Sequence, residues 1–348
     1  MEPEPPSPPS ADEPPTAGDA RPGQESTKKS RTLPFSNWWP LAIGAFAGIA
    51  LRLIFSGKPG TAYAAMEGAF VYLVPVAVGA VTVYIAEGTQ RRSWSYYIWA
   101  PMIANCLFVL GTLVFLIEGI ICAIIVIPLF AVLGAFGGVI MGAICRATRW
   151  RKGAVYGFTA LPVLLGMVPG NEVDSEKIGM VERTVIVEAM PEQIWKQLLN
   201  ARDIRPDEVG DAWMYRIGVP LPIAGVTTRT SDGLVRKVTM GKSIHFDQVA
   251  SEWSENRFVR WTYHFDKDSF PPNALDDHVT IGGQYFDILD TAYTLEPRSA
   301  LATKLSITIR YRINTQFNWY ADGVAQILIG NFEEVILRFY GRRATRAI

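Results

Sequence analysis

Hydrophobic and polar positions divide this chain into three consecutive regimes. Over residues 1–33 large apolar side chains are nearly missing, and proline, serine and charged residues take their place. Such a stretch buries too little apolar surface to offset the entropy of ordering it, so residues 1–35 are predicted to be a disordered tail. From Trp38 polar positions thin out, and five segments, 38–55, 62–86, 96–117, 120–144 and 153–169, are apolar almost throughout. About 20 apolar residues span the ~30 Å hydrocarbon core of a bilayer. The pattern therefore predicts a multi-domain membrane protein with an α-helical transmembrane bundle of about five helices over 36–169, the last of them short. Prolines 75, 101, 128 and 162 fall inside these segments, as membrane helices tolerate.

After a polar linker, 170–180, the period falls to two. ERTVIVEAM places Val185 and Val187 on one face, as a half-buried strand does, and PEQIWKQLLN then begins a helix at Pro191. LVRKVTM, KSIHFDQVASEW, RFVRWTYHF, QYFDILDTAYTLEP and ALATKLSITIRYRI follow as strands separated by short polar turns. In the last of these Leu305, Ile307, Ile309, Tyr311 and Ile313 share one face and Lys304, Ser306, Thr308, Arg310 and Arg312 the other, which predicts a sheet with one dry side. FNWYADGVAQILIGNFEEVILRFYGRR closes the chain as a long helix whose apolar stripe (Tyr320, Val324, Ile327, Leu328, Val335, Phe339) is expected to lie on that dry side. Residues 181–343 thus read as one α+β domain.

Strand, short helices, a run of antiparallel strands and one long terminal helix: in this order the region 181–343 resembles the SRPBCC superfamily, the helix-grip fold of START-type lipid-transfer domains and polyketide cyclases. The resemblance is carried by PEQIWKQLLN, by FDQVASEWSENRFVRWTYHF and by AYTLEPRSALATKLSITIRY. It implies a sheet wrapped around the terminal helix with an apolar cavity between them, a cavity that relatives use for lipids, sterols, polyketides or hormones. It implies no catalytic motif. On that expectation the ligand-binding residues are Trp261, Tyr263, Ile307, Ile309 and Tyr311 from the sheet and Val324, Leu328 and Asn331 from the helix. Asn331 is the polar residue on the apolar stripe, and a buried amide there needs a partner in a ligand, in the backbone or in water.

Charge decides orientation. Lys28, Lys29 and Arg31 precede the first apolar segment, Arg91 and Arg92 link the second and third, and Arg146, Arg149, Arg151 and Lys152 link the fourth and fifth. The two remaining loops hold only Lys58 and Glu118. Cytoplasmic loops collect Lys and Arg, so the expected protein sits in the plasma (inner) membrane with its N-terminus cytoplasmic and, given five spans, its C-terminal domain extracytoplasmic. If 153–169 only dips into the interface, the domain stays in the cytoplasm. Arg52 and Glu67 lie at similar depth near the outer side, where they either pair or snorkel to the surface. The spacings Gly44, Gly48 and Gly134, Gly138, Gly142 let helices approach closely, within one chain or in a homo-oligomer.

Net charge is zero, and neither soluble part is basic enough for a nucleic-acid partner. Cys106, Cys122 and Cys145 all fall in the apolar block, where thiols act as small packing groups. His245 and His264 alternate with apolar neighbours and read as wet-face residues. Asp276, Asp277 and His278 make half a metal site with no second cluster of ligands, so a solvated loop is expected, and its length suits a lid over a cavity mouth. Without a GxxxxGK or GxSxG motif, no catalytic residue, metal or cofactor is expected. The leading expectation is membrane-tethered binding or transfer of an apolar small molecule, with membrane lipid the natural partner. Two alternatives stand beside it: a cyclase- or hydrolase-type enzyme on a hydrophobic substrate, and a membrane assembly or stress protein whose soluble domain mediates interactions.

Overall fold

The computed structural model describes residues 38–58, 61–148, 151–168, 176–231 and 233–346, so the expected tail and most of the expected linker lie outside the described residues. Five helices form the first part: α1 (Trp39–Ile54), α2 (Val74–Thr89), α3 (Trp94–Val114), α4 (Ile120–Ala147) and α5 (Arg151–Gly166). Three of them, counting the turn that leads into α2, are long and apolar enough to cross a membrane, at Ala69–Thr89, Trp94–Val114 and Ile120–Ala147, and Trp39–Ile54 is a shorter apolar helix. Large apolar side chains such as Phe46, Leu110, Val132 and Phe136 point outward and uncovered. A surface of this kind is costly in water and free of cost against hydrocarbon.

The second helix starts later than its apolar run. Residues 61–67 form turns, and a five-residue π turn (Ala69–Leu73) leads into α2. Pro75 explains the wider turn: it has no N–H to give the carbonyl four residues back, and its ring would strike that carbonyl in a regular helix. α2 sits at the centre of the bundle, touching α1, α3, α4 and α5. The glycines are used for that packing. A side chain at Gly79 would strike the Gly134 carbonyl and one at Gly137 the Val76 carbonyl, while Gly44, Gly48, Gly138 and Gly142 face Thr82, Phe108 and Tyr97. The glycine faces named for an oligomer are thus occupied within one chain.

The second part is an eight-stranded antiparallel sheet, in order β1-β8-β7-β6-β5-β4-β3-β2. Its strands are β1 (Lys177–Val187), β2 (Asn200–Ala201), β3 (Pro222–Thr230), β4 (Gly233–Met240), β5 (His245–Ser254), β6 (Phe258–His264), β7 (Phe286–Ser299) and β8 (Ala302–Ile313). Helices α6 (Pro191–Leu199), α7 (Pro206–Val209) and α8 (Trp213–Arg216) lie between β1 and β3, and α9 (Asn318–Arg346) closes the chain. This curled sheet gripping a terminal helix is consistent with the helix-grip arrangement.

β1 begins at Lys177, inside the expected linker, because it pairs with β8 without a break from Lys177↔Ile313 to Val187↔Thr303. β3 was not expected as a strand, although PIAGVTTRT is rich in β-branched residues. Leu305, Ile307, Ile309, Tyr311 and Ile313 are buried as predicted. On α9 Val335 and Phe339 are buried as expected, but the buried face is wider than the expected stripe and takes in polar positions. Ile327 is exposed, and the buried row runs through Asp322, Ala325, Ile329, Glu333, Ile336 and Tyr340. The two acids in that row concealed the true face. At the far end of α9, Arg343 holds Glu208 of α7 by two hydrogen bonds of 2.8 and 2.6 Å. That guanidinium, with the Arg205 amide, lowers the Glu208 carboxyl to about 2.

Candidate ligand-binding site

The hollow of the sheet is not closed by the sheet and α9 alone. A cavity of about 370 Å³, within the usual ~300–1,000 Å³ of small-molecule sites, opens between them and continues to the helical bundle. Tyr263 of β6, Ile309 of β8 and Val324 and Leu328 of α9 line it from one side. Met66, Phe70, Phe108 and Ile121 line it from the bundle. Leu275, Val279 and Ile281, from the long loop between β6 and β7, complete the wall.

Half of the residues expected at the ligand stand on this wall, namely Tyr263, Ile309, Val324 and Leu328. The other four do not. Trp261 and Ile307 are fully buried in packed core. Tyr311 is buried too, and its hydroxyl donates to Asp322 at 2.7 Å, which Lys177 also reaches at 2.7 Å. The side-chain oxygen of Asn331 accepts from the Trp213 amide at 2.7 Å and so holds the start of α8, the backbone partner that its place on the helix required. Alternation identifies the inward face of a strand. It does not separate the stretch where α9 rests directly on the sheet from the stretch where the two part.

Joint contacts between bundle and domain fix the cavity's mouth. Asp276 accepts from the Cys122 amide at 2.9 Å, placing a carboxylate at the N-terminus of α4, where it meets unsatisfied N–H groups and the positive end of the helix dipole. Gln316 accepts from the Gly68 amide at 2.6 Å, Trp319 donates to the Tyr72 hydroxyl at 2.8 Å, and Tyr320 donates to the Ile125 carbonyl at 2.5 Å. Glu118, between α3 and α4, is salt-bridged to Arg52 at 2.6 Å, so the partner seen for Arg52 is this loop acid. His278 approaches the other Glu118 oxygen at 3.7 Å and lies edge-on to Tyr285. Asp276 and His278 therefore belong to a docked loop, where a solvated one was expected. Among the described residues no group of three or more potential ligands for a metal ion occurs.

The end of the cavity away from the bundle is polar. Arg236 of β4 is only 7 % exposed, and one of its terminal nitrogens donates to the Tyr340 hydroxyl at 2.9 Å. Its Nε has no partner among the described residues, and neither has the amide oxygen of Gln248 on β5, itself 7 % exposed. Gly225 of β3 faces the guanidinium, and a side chain there would approach Nε to 2.5 Å. Tyr263 and Thr291 share a hydrogen bond of 2.7 Å beside them, and burial pushes the Tyr263 and Tyr293 hydroxyls up from the usual phenol range. Arg236 and Gln248 were missed from sequence although the alternation held the signal. Leu234, Arg236 and Val238 share a face of β4, and Phe246, Gln248 and Ala250 a face of β5.

No family model matches the chain, and no curated sequence does. Solved structures show a likeness over about half of it. A START superfamily protein from Mycobacterium smegmatis is 15 % identical, with a TM-score of 0.34, over 49 % of this chain and 99 % of that one. The Zhui aromatase/cyclase of a Streptomyces species is 12 % identical, with a TM-score of 0.32, over 49 % of this chain and 97 % of its own. A truncated norcoclaurine synthase from Thalictrum flavum is 9 % identical, with a TM-score of 0.26, over 47 % of this chain and 96 % of its own.

Proposed function

We propose that this protein is a membrane-embedded holder of an apolar ligand, most naturally a lipid, which it takes from or returns to the bilayer beneath its cavity. The observation that carries this reading is that the cavity is walled by both parts of the molecule, so that Phe70 and Phe108 of the bundle face the same space as Leu328 of α9. A site used only from water has no need of a floor made by helices of membrane length. Five spans, with the N-terminus cytoplasmic and the sheet domain on the far side of a plasma membrane, fit the charge distribution. Arg92 and Arg146 lie together at the bundle end away from the domain, where Arg146 donates to the Arg92 carbonyl at 2.7 Å.

An enzymatic reading needs an acid and a base converging on the ligand. The pair that faces the cavity, Glu118 and His278, is tied to Arg52 at the joint, which favours docking as its role. The test is Leu328→Trp in the full-length protein extracted in mild detergent, read by native mass spectrometry and by melting temperature. In an open cavity the indole fills the space, the co-purifying lipid is lost and the melting temperature stays close to that of the lipid-free parent. In solid core the same change overpacks and costs roughly 1–3 kcal/mol. A destabilised protein that retains its lipid would refute the proposal.

A further inference from the structure

Resting on that cavity reading, we infer that the ligand is an amphiphile with an anionic oxygen head, a carboxylate or phosphate, which is received by Arg236 at the polar end while the apolar tail runs toward the bundle. A guanidinium taken out of water needs a counter-charge, since an unpaired buried charge costs several kcal/mol. Arg236 is buried and, among the described residues, no acidic group faces it. The groups that do are the hydroxyls of Tyr340, Tyr293 and Tyr263. Asp290, a buried acid on β7, is already engaged by Arg310 at 3.1 Å.

The guanidinium is also shaped for a ligand. Gly225, having no side chain, lets the guanidinium lie against its backbone, and with one terminal nitrogen on the Tyr340 hydroxyl and Nε without a partner, N–H groups remain to donate to an oxygen of a head group. Gln248 offers an amide whose orientation follows the group it meets. Beyond this polar end the wall is mainly apolar toward Met66, Phe70 and Ile121, and the charged groups that face it there, Arg52, Glu118 and His278, are engaged with one another. One charged end and one long apolar end is the outline of a single-chain lipid acid, and a sterol or a neutral ester would leave the guanidinium unanswered.

The test uses the full-length protein in nanodiscs of zwitterionic lipid and compares a fluorescent long-chain fatty acid with its methyl ester, inorganic phosphate serving as competitor. The acid is expected to bind at least about ten-fold more tightly than the ester, since hydrogen bonds to charged groups contribute that much or more. Arg236→Met should bring the acid down to the ester's affinity, leave the ester unchanged and raise the melting temperature of the ligand-free protein. Gly225→Ala, which crowds the guanidinium without removing it, should weaken the acid alone. Equal binding of acid and ester by the unaltered protein would overturn the anionic head while leaving the cavity reading intact, and binding of neither would overturn both. An acid preference surviving Arg236→Met would assign Arg236 a structural role only. Displacement of the acid by phosphate alone would replace the amphiphile with a free anion.

Discussion

Replacing Glu333 by glutamine is expected to stabilise the protein, and to do so only at neutral and alkaline pH. Glu333 sits in the middle of α9 with no exposed surface, and the groups that approach its carboxylate favourably are the Ile309 backbone amide and the Arg183 guanidinium. Burial pushes its carboxyl up to about 8, against 4.5 for the free group, with Arg183 offsetting part of the effect. The folded protein therefore binds more protons than the unfolded chain between pH 4.5 and 8. Stability is undiminished below pH 4.5, falls as pH rises through that window and levels off above about 8. At ~1.4 kcal/mol per pH unit the loss at pH 7 is on the order of 3 kcal/mol. Glutamine removes the charge but keeps a buried amide to be satisfied, so a gain of about 1–3 kcal/mol at pH 8, shrinking to nothing near pH 4.5, is the expected outcome. Thermal unfolding of Glu333→Gln and the parent in the same detergent, from pH 4.5 to 9, measures it. A gain of equal size at both ends of the range, or a loss at pH 8, would refute the argument.

Two further outcomes concern the joint and the membrane. Asp276→Ala removes the carboxylate from the start of α4 and should cost about 1 kcal/mol, visible as faster hydrogen exchange of the first amides of α4 and of the loop over 266–285. Unchanged protection there would mean that the loop is held by its apolar contacts alone. Reporter fusions after Gln90 and Lys152 should report the cytoplasm and those after Thr61 and Ile348 the far side, and a cytoplasmic signal at Ile348 would show that α5 turns back within the membrane.

Much of the fold could be read along the chain because two strong periods dominate it. Long apolar runs located α1, α3 and α4 to within a few residues, and the strict alternation of β8 located its dry face. The departures have local causes. Pro75 turned the entry to α2 into a π turn, and β1 ran into the linker because β8 offered it a partner, which is information held elsewhere in the chain. The wall of the cavity was half legible. Tyr263, Ile309, Val324 and Leu328 follow from counting faces, whereas the positions of Trp261, Ile307, Tyr311 and Asn331 depend on how closely α9 approaches the sheet. Arg236 and Gln248 were passed over for a different reason: each occupies a dry-face position in a strand taken as apolar, and a polar residue there was read past. The contribution of Met66 and Phe108 to the same space could not be read at all, since no pattern within one segment tells which other segment will face it.

A cavity divided between two parts of a molecule has a thermodynamic consequence. A ligand touching both walls binds only while the sheet domain is seated on the helices, so its binding free energy is added to the free energy of seating. By mass action each tenfold excess of ligand over its dissociation constant adds about 1.4 kcal/mol. Occupancy and attachment are then one equilibrium seen from two sides. With the ligand gone, the seating rests on contacts such as those of Asp276, Gln316, Trp319, Tyr320 and the Glu118–His278 pair, together with Phe317 packed into the core of the bundle.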